Sequence, residues 1–203
     1  MFGLPQSTEL RKVVHKKLIF AKFPGELNGD RKKRFDNDIS RIGIVNEISP
    51  SSVNIKEGES IKSIFVVQIE LKTKNYDERN VLLISKLFGQ QMLIILKYEE
   101  EYQLAVYQTK LLYSDWKSNS EMELHLNGLD LDSMWLNMVE QVSGIIPKNG
   151  NSLDEQIAVE VEKAKLMKQI DEMETQARKE TQSKKKFDMF QRMKEYQKLL
   201  EKL

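Results

Sequence analysis

The alternation of apolar and polar positions is clearest at Ile64–Leu71, where β-branched and aromatic residues favour a strand over a helix. Phe65, Val67, Ile69 and Leu71 share one wholly apolar face. Ile64, Val66, Gln68, Glu70 and Lys72 share the other, which begins apolar and ends polar. A strand apolar on both faces for half its length belongs inside a covered sheet, with the polar end at the rim. Downstream, Asn75–Asp77 offers caps for a helix to about Phe88, with Gly89 as its C-cap, and Met92–Tyr98 reads as a second buried strand. Strand, helix and strand in this order predict a βαβ unit with a parallel pair. Tyr102–Gln108 follows as a hairpin partner, and Leu111–Trp116 as a further strand. A helix capped by Asp132 or Ser133 carries Met134, Trp135, Met138 and Val142 and closes at Gly144.

Upstream, Leu10, Val13, Val14 and Leu18 have helical spacing and predict a helix from Ser7 or Thr8 to Phe20. A second helix is predicted from Asp30, with Phe35, Ile39 and Ile42 inward and Gly43 at its end. Ile44–Ile48 then reads as a short strand, Ser49-Pro50-Ser51-Ser52 as a turn, and Val53–Ile55 as extended chain.

Beyond Gly150 no glycine or proline interrupts the chain. Leu153, Ile157, Val161, Ala164, Met167, Ile170, Met173 and Ala177 recur at threes and fours. Arg178–Lys186 lacks this stripe, and Phe187, Phe190, Met193, Tyr196, Leu200 and Leu203 resume it. The segment reads either as one helix of about 75 Å or as a helical hairpin bending near Thr181-Gln182-Ser183. The expectation is therefore an α/β domain over residues 1–146, built on a mixed sheet with a βαβ unit and helices on both faces. A linker at 147–152 leads to a charged helical, coiled-coil-like tail at 153–203.

Charge refines this picture. The net charge of +1 over 203 residues conceals segregation: residues 1–42 carry ten Lys/Arg against five Asp/Glu, and residues 43–150 carry ten against fifteen. Polar contacts with partners are expected to be local rather than a coat of nucleic acid along the whole surface. The basic first turn of the second helix, Arg31, Lys32, Lys33 and Arg34, is the candidate nucleic-acid or anion-binding element, although such a run is more often a solvated helix face. The apolar stripe of the tail, at Leu153, Ile157, Met167, Ile170, Phe187, Phe190 and Leu200, is the candidate partner interface. There is no cysteine and no apolar run long enough to span a membrane, and the N-terminus lacks the layout of a signal peptide, so a cytoplasmic location is expected.

The sharpest chemical pattern is Glu70-Leu71-Lys72. An acid-x-Lys pair at the end of a central strand resembles the metal-dependent PD-(D/E)xK nucleases, in which the acid binds a divalent cation and the lysine serves the attacking water. Glu47 is the candidate companion acid, with Asp36 and Asp38 on the preceding helix. Mg2+ enters only under this alternative, and no cofactor is otherwise expected. Acid-x-Lys is also common by chance, so the favoured reading assigns no catalytic residue and treats the pair as an exposed strand end. His15 and His125 lack neighbouring ligands for zinc, and no glycine-rich phosphate loop is present.

The segment Arg178-Lys179-Glu180-Thr181-Gln182-Ser183-Lys184-Lys185-Lys186-Phe187, the start Leu4-Pro5-Gln6-Ser7-Thr8-Glu9, and Ile39–Ile55 with its Ser49-Pro50-Ser51-Ser52-Val53-Asn54-Ile55 ending together resemble a bacterial family, domain of unknown function 4391. Members of that family are often encoded beside DNA methyltransferases and helicases of restriction or phage-defence systems. The resemblance implies an accessory subunit of such an assembly and carries over no catalytic residues. The expected partners are protein subunits such as a helicase or DNA methyltransferase, with self-association through the tail as a second contact. DNA would be a direct partner if the basic N-terminal helices act as an adaptor.

Overall fold

A computed structural model describes residues 2–148 and 150–203. Asn149, inside the expected linker, lies outside the described residues. The chain divides into two units, Met1–Gly144 and Ile145–Leu203.

The first unit is built on a mixed seven-stranded sheet. Its strands are β1 (Glu9–Val13), β2 (Ile39–Ile48), β3 (Ile64–Leu71), β4 (Gln91–Tyr98), β5 (Glu101–Tyr107), β6 (Leu111–Tyr113) and β7 (Lys117–Ser118). The first six lie side by side in chain order, and β7 pairs with β5. Among the described strands only β3 and β4 are parallel, joined through α4 (Glu78–Ser85). This is the expected βαβ unit, since a parallel pair needs a crossover that a hairpin cannot supply.

One sheet face packs Ile42, Ile44, Val67, Ile69, Ile94 and Leu96 against α1 (Lys16–Lys22), α2 (Gly29–Asp38) and α4, with Ile19, Phe35 and Ile84 fully buried. On β4 and β5, Leu93, Ile95, Leu104 and Val106 are also buried but stand outside that cluster. Helix α5 (Leu131–Ser143) packs against β5 and β6, and the Trp135 indole Nε1–H donates to Gln108 Oε1 at 2.7 Å.

The N-terminal third departs from its helical pattern. Residues Gln6–Thr8 form one 3-10 turn, Glu9–Val13 is a strand, and the helix begins only at Lys16. The spacing of Leu10, Val13, Val14 and Leu18 fits a helix, yet Val13 and Leu18 are about half exposed. Pairing of β1 with the edge of β2 satisfies the backbone instead, and Val14 N–H extends it to Ile42 O at 2.9 Å. Helix α2 likewise stops at Asp38, and Ile39, Ile42 and Gly43 belong to β2. Three isoleucines at 39, 42 and 44 satisfy a helical period as well as a bulged strand, and the partner strand decides.

Strand β2 carries two irregularities against β3, between Ile39 and Arg41 and between Ile44 and Asn46. The second leaves Val45 unpaired. Before it, Ile42 and Ile44 join the first core. After it, Asn46 pairs with Val66 and Ile48 with Ile64 on the opposite face, where the Asn46 amide donates to Thr8 Oγ1 at 2.8 Å.

Smaller differences have local causes. The Ser49–Ser52 turn winds into a helical turn, α3 (Pro50–Val53), because proline at the first position and the Ser49/Ser52 capping box favour it. Helix α4 starts after Asp77, whose side chain accepts from Arg79 N, and stops at Ser85, short of Phe88. Helix α5 is capped by Asp130 rather than Asp132 or Ser133, and Gly144 ends it in the left-handed conformation. Strand β6 stops at Tyr113, short of Trp116.

The second unit is a helical hairpin of α6 (Leu153–Lys179) and α7 (Ser183–Leu200). The break falls at Glu180–Gln182, where Gln182 N–H donates to Glu180 Oε1 at 2.8 Å. Met173 and Gln176 share a groove with Lys185 and Met189, whereas Gln169 and Glu172 meet Tyr196, so the helices run antiparallel. The single long helix is thereby ruled out.

Candidate functional site

Glu70 and Lys72 part at the rim of the sheet. Glu70 lines a cleft of about 300 Å3 together with Arg11, Lys12, Arg41, Gly43 and Gln68. Lys72 lies one residue past β3. Its N–H donates to Asp38 O at 2.8 Å and its Nζ to Asp36 O at 2.7 Å, so it caps the C-terminal carbonyls of α2. Glu70 and Lys72 form no ion pair with each other among the described residues.

The strand register also fixes the neighbours of Glu70. Arg41 stands across from it on β2 and Lys97 on β4. Glu47 pairs with Phe65, five residues back along β3 and on the other face, about 17 Å away at strand rise. Asp36 pairs with Lys16 at 3.0 Å. Buried Asp38 accepts from Asp77 N at 2.9 Å and Asn80 Nδ2 at 3.0 Å. The sheet therefore does not bring Glu47, Glu70 and Lys72 together. No group of three His, Asp or Glu among the described residues is arranged to hold a metal ion.

In the basic first turn of α2, Arg31 and Arg34 turn to carboxylates of the same unit, while Lys32, Lys33 and Arg34 stay exposed. Arg31 Nη1 meets Asp77 Oδ2 at 3.0 Å, and Arg34 Nε lies 3.8 Å from the same oxygen and 4.0 Å from Asp38. Lys32 sits over the Phe20 ring at 4.7 Å, and Lys33 pairs with exposed Asp30 at 3.2 Å. Asp77 is the hub of this cluster. Its carboxylate binds the Arg79 guanidinium, with a shortest contact of 2.7 Å, and Arg31 adds a second positive charge. Hydrogen bonds from Arg79, reinforced by Arg31, hold the Asp77 carboxyl at about 2 against the opposing effect of burial. Sequence reasoning placed Asp77 only as a helix cap. Nothing in the one-dimensional pattern ties it to Arg31, 46 residues away.

The tail residues divide into two sets. Leu153 and Ile157 are buried, Ile170 and Leu200 partly so, while Met167, Phe187 and Phe190 are 59%, 61% and 45% exposed. Leu166, Ala177 and Met193 are the buried residues at the level where α6 and α7 overlap. Among the described residues the ion pairs of the hairpin, Lys163–Glu160, Lys165–Glu162, Lys168–Glu172 and Arg178–Glu174, lie within α6. Lys184, Lys185, Lys186, Arg192, Lys194 and Lys198 of α7 have no carboxylate within 4.0 Å among the described residues.

A family model described as Domain of unknown function (DUF4391) matches residues 2–200. The chain belongs to this family. The DUF4391 match runs through both units, so the hairpin is as much part of the family as the sheet. No curated protein and no solved structure matches the DUF4391 chain. No helix among the described residues of this DUF4391 member is long and apolar enough to cross a membrane.

Proposed function

We propose that this protein is an accessory subunit of a bacterial DNA restriction or anti-phage assembly, working through protein–protein contact, with the helical hairpin as its docking element. The observation that carries the reading is the outer face of α7. Phe187 and Phe190, one turn apart and exposed, stand on a helix whose lysines make no ion pair within 4.0 Å among the described residues. Exposed aromatics amid unpaired cations are costly to leave in water and suit a partner surface that is apolar at its centre and acidic at its rim. The genomic neighbourhood implied by the family resemblance supplies the candidates, a DNA methyltransferase or a helicase.

The experiment is co-expression of the full chain with an affinity-tagged methyltransferase or helicase encoded beside it. The expected result is a stoichiometric complex, lost in Phe187→Ala/Phe190→Ala at unchanged helical content. A complex that survives this double substitution, or no complex with either enzyme, would sink the proposal.

A further inference from the structure

The cleft beside Glu70 is lined by residues of the first unit. Strand pairing sets Arg41 across from Glu70 and Gly43 across from Gln68, so these four positions share one face of the sheet. Arg11 and Lys12 of the edge strand form the wall. Charges on directly paired residues normally find each other, because their Cβ atoms are about 5 Å apart. Here they do not: among the described residues Arg41 has no carboxylate within 4.0 Å, and the half-buried side chains of Gln68 and Glu70 have no partner. Lys97, the other neighbour of Glu70, lies over the Tyr102 ring at 5.7 Å. Arg11 is only loosely held by exposed Glu9 at 3.4 Å.

The chemistry of the lining narrows the ligand. Three cations against one carboxylate favour an anion. A bare anion would be repelled by Glu70, so the ligand must also bring hydrogen-bond donors for an oxygen pair that can only accept. Gln68 can donate and accept beside it. A nucleotide has both ends, and among the bases guanine presents two adjacent N–H groups to a carboxylate. A volume of about 300 Å3 lies at the small end of ligand sites and suits one nucleotide. Gly43 leaves this face of the sheet open, since it puts no side chain beside Gln68.

We propose that this cleft binds a guanine nucleotide, with Glu70 accepting from the base edge and Arg41, Arg11 and Lys12 holding the phosphate. The nucleotide is either free or the 5′-phosphorylated end of a strand.

Calorimetric titration of the full chain with GMP, AMP, CMP, UMP, inorganic phosphate and a 5′-phosphorylated dinucleotide beginning in guanine tests this. GMP is expected to bind about tenfold more tightly than AMP, the weight of one charge-assisted hydrogen bond. Inorganic phosphate should bind more weakly than either. Glu70→Gln should erase the preference for GMP while tightening the binding of inorganic phosphate, because the carboxylate that repels a bare anion is gone. Gly43→Ala should weaken GMP binding without lowering the melting temperature, because a Cβ at this position meets nothing closer than Lys12 O at 3.5 Å. Tighter binding of the dinucleotide would assign the strand end, and weaker binding the free nucleotide. No binding of GMP at millimolar concentration, equal binding of all four nucleotides, or wild-type affinity in both variants would overturn the proposal.

Discussion

Arg31 on α2 and Asp77 at the start of α4 meet at 3.0 Å across 46 residues of sequence, and the carboxylate is all but buried. This contact ties the helix before β2 to the helix after β3. It explains why a basic first turn is tolerated on α2, where positive charge opposes the helix dipole.

Removing the arginine leaves the acid in place. Arg31→Ala should cost about 1–2 kcal/mol in urea unfolding, less than a fully orphaned buried charge because Arg79 still holds Asp77. Lys33→Ala, which loses only an exposed pair with Asp30, should change stability by less than about 0.5 kcal/mol. Equal effects of the two substitutions would contradict this division.

The low carboxyl value of Asp77 predicts an acid-labile link. Its folded value, about 2, lies below the ordinary 3.8, so its contribution is complete above pH 3.8 and disappears as the pH falls towards 2. The amount lost is about 2 kcal/mol. Urea unfolding of the wild type and of Asp77→Asn between pH 5 and 2 checks this, with a shallower pH dependence expected for the variant.

A second long-range link joins the loop before β3 to α5. The Asp132 carboxylate accepts from Ser60 N at 3.2 Å and Ile61 N at 2.8 Å, and a Cβ on Gly58 would stand 2.3 Å from its Oδ1. Gly58→Ala should therefore cost about 1–3 kcal/mol. In Asp132→Ala the same change should cost less, a non-additivity measured by a double-mutant cycle.

Within the hairpin, the buried and exposed apolar residues should behave oppositely. Met193→Ala or Leu166→Ala should lower stability by about 2–3 kcal/mol and reduce the helical signal in circular dichroism. Phe187→Ala and Phe190→Ala should leave both nearly unchanged. A comparable loss from either phenylalanine would place those rings inside the packing.

Legibility in the sequence followed burial. Strands β3 and β4 and the helix between them could be read because apolar runs, caps and turn residues agreed over that stretch. The hairpin was one of two readings, since the charged stretch Arg178–Lys186 is compatible with a continued helix until Glu180 leaves helical geometry. The N-terminal third misled because Leu10, Val13, Ile39 and Ile42 satisfy two periods at once, and pairing with a distant strand chooses between them. For the candidate sites, residue types could be named but not their companions. Glu70 has Arg41 as its neighbour rather than Glu47, and Lys72 serves the end of α2.

The unpaired residue Val45 acts as a phase shift in β2. Because of it a single strand feeds Ile42 and Ile44 to one layer and Asn46 and Ile48 to the other. Were Val45 drawn into regular pairing, the even alternation would carry Asn46 and Ile48 to the layer of Ile42 and Ile44, stranding an amide among isoleucines and separating it from Thr8. Removing Val45 would leave both residues on their present side, because Ile44 and Asn46 already oppose consecutive residues of β3, Val67 and Val66. The strand is thus more tolerant of losing this one residue than of losing any of its paired neighbours.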